Sequence, residues 1–285
     1  MSRIWNDIKY QFNFGGPETK LIFINVGIFV VSALTFAFAP WLGFPDWLML
    51  RPGTVLYYPW TLVTYAFLHG GFFHLVGNML VLNFSARLFR TYFSARQMVG
   101  VYFLGAVFAG LVFVASYYLL GRANGLVGSS AAVMAVLVAI TTYNPVMEVR
   151  LLLIGNVKLW IITGVLIFLD LISISVENTG GHISHLSAAA FGFIYMKTLE
   201  SGTDMSNLVS AIADFFVNLS KPGSKQPKFK KVHRNYDKKT TQKATSVVQK
   251  DRTQQQIDEI LDKISRSGYD SLTKDEKDFL FRAGK

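Results

Sequence analysis

Residues 99–119 read VGVYFLGAVFAGLVFVASYYL, 21 consecutive positions without a charged side chain. That run decides the fold class. A helix of this length rises about 30 Å at 1.5 Å per residue, which is the thickness of a bilayer's hydrocarbon core. Working outward from it, apolar blocks recur at 21–39, 72–88, 126–143, 159–176 and 183–196. The blocks at 126–143 and 183–196 carry polar residues, so hydropathy alone scores them weakly. The whole chain agrees with the local pattern. It is 51% hydrophobic and 16% charged over 285 residues, with mean hydropathy +0.34, too apolar for an ordinary soluble domain of this size. The expected fold is an all-α membrane protein with six transmembrane helices and a small helical cytoplasmic C-terminal segment.

Basic residues set the expected orientation, because cytoplasmic loops retain Lys and Arg. Arg87, Arg90 and Arg96 flank the second loop, Arg150 and Lys158 lie in the fourth, and the chain after Lys197 is densely basic. The alternate loops carry only Arg51 and Arg122, and none of these residues separates the last two spans. Both termini are therefore expected in the cytoplasm. Residues 1–20 are polar and mixed in charge, read as a cytoplasmic segment without a cleavable signal. The net charge of +10 then faces anionic lipid of the bilayer surface rather than nucleic acid. With no cysteine there is neither a disulfide framework nor a thiol nucleophile.

Beyond the expected six-span domain at 21–199, residues 200–252 read as a linker. Ser201 to Asn218 is amphipathic and suited to a membrane surface, and Lys221 to Lys239 is basic, with Pro222 and Pro227. In residues 253–285, Ile257, Ile260, Leu261 and Ile264 recur at helical spacing and Gly268 ends that helix. Thr273 and Glu276 make a capping box for a last helix bearing Phe279, Leu280 and Phe281.

Chemistry is sought among polar residues that are expensive inside a membrane. HGGFFHLVGN (69–78), GSSAA (128–132) and HISHLSAAAFG (182–192) all begin even-numbered spans. The expected orientation puts all three at one depth, near the outer leaflet. Ser130 stands at a helix start, where amides lack intrahelical partners and the dipole favours negative charge. A membrane serine more often bonds the carbonyl one turn back, and Ser129 is an open competitor. A serine nucleophile needs a base within hydrogen-bond reach. His182, His185, Ala189 and Gly192 share one face, with small residues that admit a neighbouring helix. His182 is nearer water, which makes His185 the better protected base. His74 and Asn78, four apart, point the same way and can donate hydrogen bonds. A zinc protease would need a ligand set such as H-E-x-x-H, which is missing, so no metal is expected. An aspartyl protease would need two membrane Asp residues. Asp170 alone qualifies, and it reads as a protonated carboxyl bonded to a neighbouring helix, without a catalytic role.

These clusters, in this order, resemble the motifs of the rhomboid intramembrane proteases: H-x4-H-x3-N, G-x-S-G, and a His followed seven residues later by Gly. Here they are His69, His74 and Asn78, then Gly128, Ser129 and Ser130, then His185 and Gly192, within a resemblance covering roughly residues 20–199. The resemblance implies a rhomboid-like bundle with a Ser130–His185 dyad lacking an acidic third member. It implies an oxyanion hole of His74, Asn78 and the Ser130 amide, with His69 steadying the loop above and Gly128 and Gly192 supporting. It implies no cofactor, substrates that are single- or multi-span membrane proteins, and a bacterial inner membrane, since the C-terminal segment is similar to tails of some bacterial members. It leaves the oligomeric state open. Three features depart from the pattern. Ala131 and Ala188 replace glycines, which would widen the contact between spans four and six slightly. Met134 replaces an aromatic on the His ring. Pro59, Trp60 and Thr61 replace a Trp-Arg motif. Two other readings stand beside protease: an inactive relative binding client helices, and a small transporter using His and Asp170 as a proton path.

Overall fold

The computed structural model describes residues 2–39, 41–121, 125–151, 154–174, 178–220 and 244–283. They fall into two compact units, one within 1–223 and one within 224–285. The basic, proline-containing stretch 221–239 and Arg122 lie outside the described residues.

The first unit begins with α1 (Ser2–Phe14) and α2 (Pro17–Phe38). Helix α1 lies in the segment read from sequence as merely polar. Its Ile4, Trp5, Ile8 and Phe12 recur along one side and are exposed, a stripe that bulk hydropathy averages away against the intervening charges. Pro17 opens α2 at a position where a missing N–H costs nothing. The loop after α2 folds back through α3 (Thr61–Thr64) and a 3-10 turn at Tyr65–Phe67. Trp60 Nε1 donates to the Trp47 carbonyl at 2.7 Å, Thr64 Oγ1 to that of Leu48 at 2.7 Å, and Arg51 pairs with Asp46 at 3.1 Å. The loop is thus tied down without the Trp-Arg pair.

Next come α4 (Phe72–Tyr92), α5 (Ala95–Leu120), α6 (Ser130–Tyr143), α7 (Leu159–Ser173), α8 (Thr179–Glu200) and α9 (Ser206–Ser220). Ser94 and Gln97 form a reciprocal capping box that starts α5, and Gly121, at φ +66°, ends it. The six expected spans are therefore α2, α4, α5, α6, α7 and α8. Among the described residues α2, α4 and α5 are long and apolar enough to cross a bilayer, while α6 and α7 are apolar but shorter. Among the described residues, two strands depart from the helical pattern: β1 (Glu148–Leu151) and β2 (Gly155–Lys158) pair antiparallel between α6 and α7.

Helix α6 is the centre of the unit. Residues Ala131 to Thr141 are buried without interruption, and α4, α5, α7 and α8 pack around them. Helices α2 and α7 are peripheral, with Val31, Leu34 and Phe38 of one and Trp160, Phe168 and Leu171 of the other exposed. Apolar surface of this kind is what lipid-facing helices carry. Since lipid is as apolar as leucine, close packing and interhelical hydrogen bonds hold such a bundle. Thr141 and Thr163 bond across α6 and α7 at 2.7 Å, worth about 0.6 kcal/mol in such a setting. Arg90, in the last turn of α4, grips Glu18 of α2 through both carboxylate oxygens at 2.8 and 2.9 Å. The Ala135 stretch of α6 meets α8 at Gly192, where an added Cβ would overlap the Ala135 carbonyl. The substitutions Ala131 and Ala188 leave this crossing at backbone contact.

The second unit is a helical hairpin of α10 (Ala244–Ser267) and α11 (Lys274–Ala283), broken at Gly268, whose φ is +78°. Thr273 N–H donates to Glu276 Oε2 at 2.7 Å and Glu276 N–H to Thr273 Oγ1 at 3.4 Å, the capping box read from sequence. Lys263, bonded at 2.8 Å, together with Thr273 holds the Glu276 carboxyl down at about 2.

Candidate active site

The site is assembled from turns of four helices, α4, α6, α7 and α8. Ser130 is the first residue of α6, where a backbone amide has no intrahelical acceptor. Its Oγ lies 2.6 Å from His185 Nε2, on the second turn of α8. The neighbouring serine goes elsewhere: Ser129 is fully buried and its Oγ meets His69 Nε2 at 3.2 Å. The two serines that sequence spacing leaves equivalent are thus separated by their partners.

A cavity of about 360 Å³ opens beside this pair, lined by His74, Asn78, Ser130, Met134, Asp170 and His185 among others. Gly128 lies close to two of the lining residues, His74 and Ser130. At φ +126° it takes a backbone shape that suits glycine, and a Cβ there would stand 2.8 Å from His74 Cε1 and 3.5 Å from Ser130 Oγ. The His74 ring and the serine therefore face each other across the one residue without a side chain. The His69 ring packs edge-on to His74, with centroids 5.3 Å apart. Asn78 is buried, yet its Nδ2 has no hydrogen-bond partner among the described residues. A buried amide donor without an acceptor normally costs stability, and this one borders the cavity that holds Ser130. A larger cavity of about 670 Å³ lies between α2 and residues 42–48 and 64–68, but its lining is mostly apolar, with the hydroxyls of Ser32, Thr35 and Thr64, and has no titratable group. Size alone does not mark the chemistry here.

Asp170 departs from the sequence expectation. That reading bonded it to a neighbouring helix, which the structure shows, but left it outside the site, which the structure does not. In the last turn of α7, its Oδ1 lies 2.8 Å from His185 Nδ1 and 2.8 Å from His182 Nδ1. The serine–histidine pair thus has a carboxyl group on its far side, and His182 supports that carboxyl group. The available signal was depth, since odd-numbered spans end at the level where even-numbered spans begin. Relative rotation of α7 and α8, which decides whether Asp170 meets the histidines, is absent from a linear pattern.

Asp170, His182 and His185 also place one ligand atom each within 4.8 Å of the others, close enough for a divalent cation. Their 2.8 Å contacts through Asp170 Oδ1 are hydrogen-bond lengths. With Ser130 on its opposite nitrogen, His185 is arranged to move a proton. Chemically, the set brings a hydroxyl within hydrogen-bond reach of an imidazole, with polar side chains His74 and Asn78 lining the same cavity.

Residues 57–201, just over half of the chain, match the family model described as Rhomboid domain. Residues 247–283 match a family of unknown function, DUF6576. No curated protein matches the chain.

Proposed function

This chain belongs to the rhomboid family, and from that membership we propose that it is an intramembrane serine endopeptidase that cuts membrane-protein substrates in or near their transmembrane segments. The observation that carries the reading is the 2.6 Å contact between Ser130 Oγ and His185 Nε2 at a cavity wall. His185 takes the Ser130 proton, and the oxygen attacks the scissile carbonyl. The developing oxyanion is met by the Ser130 amide, His74 and Asn78. His185 then returns the proton to the leaving amine, and water, deprotonated by the same ring, releases the acyl group. The unpartnered Asn78 Nδ2 supports this role, since an oxyanion would supply the acceptor it lacks.

A helical substrate hides its carbonyls in its own hydrogen bonds, so it must unwind locally to reach Ser130. Segments rich in Gly, Pro or small polar residues are favoured. The distribution of Lys and Arg supports an orientation with both termini in the cytoplasm and the site near the outer leaflet, and the resemblance of the C-terminal segment to tails of bacterial members supports a bacterial inner membrane.

The competing reading is an inactive family member that binds client helices. Binding needs neither a serine bonded to an imidazole nor a buried amide donor left without an acceptor beside that pair. The two are separated by offering a single-span reporter to purified wild type, Ser130→Ala, Ser129→Ala and His185→Ala in liposomes. Cleavage by wild type and Ser129→Ala alone supports the protease; helix binding without cleavage by any of them supports the inactive relative.

A further inference from the structure

A histidine acts as base toward a serine only when the ring nitrogen facing the hydroxyl is bare, and for Nε2 of a neutral ring this places the proton on Nδ1. In water either tautomer is available. Here Nδ1 of His185 faces Asp170 Oδ1 at 2.8 Å while Nε2 faces Ser130 Oγ at 2.6 Å. As a carboxylate, Asp170 accepts and cannot donate, so the Nδ1 partner must be N–H. Asp170 is itself held. His182, three residues before His185 and so one turn away on α8, points its Nδ1 at the same Oδ1 from 2.8 Å, and the two imidazoles lie nearly perpendicular, at 88°. The Asp170 side chain is only 10% exposed, so water competes little for that oxygen.

We propose that Asp170 is a positioning residue for His185, holding the ring in the Nδ1–H tautomer so that Nε2 takes the Ser130 proton, with His182 bonding the same carboxylate oxygen. The proposal rests on the protease reading above. The proton balance is simple. One proton passes from Ser130 Oγ to His185 Nε2 and later to the leaving amine. The Nδ1 proton stays in place throughout, and Asp170 gains none.

The bland competitor is that Asp170 only ties α7 to α8. An amide of the same size would serve a tie almost as well, because the side-chain carbonyl installed by Asp170→Asn could still accept from one imidazole. That amide would not enforce the tautomer, since its NH2 can turn and donate to a bare Nδ1. The test is therefore Asp170→Asn, Asp170→Glu and His182→Ala in the full chain in detergent. The readouts are kcat and KM on the single-span reporter, the thermal midpoint, and the rate at which Ser130 reacts with a fluorophosphonate.

Asp170→Asn is expected to lower kcat on the order of 10²-fold, as misoriented reacting groups do, with KM and thermal midpoint unchanged and with slower fluorophosphonate labelling. Asp170→Glu should recover part of kcat, and His182→Ala should lose less than Asp170→Asn. The proposal is overturned if Asp170→Asn turns over and labels like wild type, or if its lost activity matches a lost folded fraction that Asp170→Glu does not restore. Failure of the protease reading looks different: wild type neither cleaves nor labels, so both ideas fall together, whereas an active wild type with an equally active Asp170→Asn sinks the positioning role alone.

Discussion

Asn78 separates function from folding more cleanly than any other side chain in the site. Its Nδ2 forms no hydrogen bond with the described residues, so Asn78→Ala removes no internal bond through that atom and the folded fraction should hold. Under the proposed mechanism the same nitrogen donates to the oxyanion. Its loss should cost about 10²–10³ in kcat, the usual effect of deleting one such donor. Steady-state rates beside a thermal melt check this; an unchanged kcat would remove Asn78 from the oxyanion hole. At this scale the sequence was informative about residue type and depth. His74, Asn78, Ser130 and His185, singled out as polar groups beginning even-numbered spans, line one cavity. It was uninformative about azimuth. Ser129 and Ser130 are adjacent, and only the turn into α6 sends one to His69 and the other to His185. Asp170 was underread for the same reason.

The crossing of α6 and α8 positions the serine against its base, so the element scale is where the site gains its precision. Gly192 allows the two backbones to touch at Ala135, whose side chain on another flank faces Gly105 of α5. Gly192→Ala introduces a Cβ that meets the Ala135 carbonyl rather than a movable side chain. Overpacking of this kind typically costs about 1–3 kcal/mol, measurable as a lower resistance to denaturation in mixed micelles. Because α8 carries His185, activity should fall further than stability alone predicts; a variant of wild-type stability and rate would show that the helices separate at no cost. The small residues on one face of span six forecast this contact. The β1–β2 hairpin was not forecast. Its strands are four residues each, too short for alternation to stand out, and its Arg150 and Lys158 were read only as loop charges. The shortness of α6, 14 residues and about 21 Å, was hidden as well, because apolar residues precede the point where the helix actually starts.

For the whole molecule, the decisive quantity is which side of the membrane the site faces. The central burial of α6 keeps Ser130 away from lipid, so substrate and water must come from the outer ends of α4, α6 and α8 if the proposed orientation holds. The chain has no cysteine, so a single introduced thiol reports its own compartment without background. Gly53, in the loop between α2 and α3, is exposed with nothing near its would-be Cβ, and Ile154, in the β1–β2 turn, is 75% exposed. Gly53→Cys should react with a membrane-impermeant maleimide in intact spheroplasts, and Ile154→Cys only after permeabilisation. The positive charges behind this expectation, Arg87, Arg90, Arg96, Arg150 and Lys158, border the α4–α5 and α6–α7 connections, so inversion would require the charge asymmetry to be overridden. An inverted labelling pattern would turn the cavity toward the cytoplasm, and substrates would then have to present their unwound segments from that side.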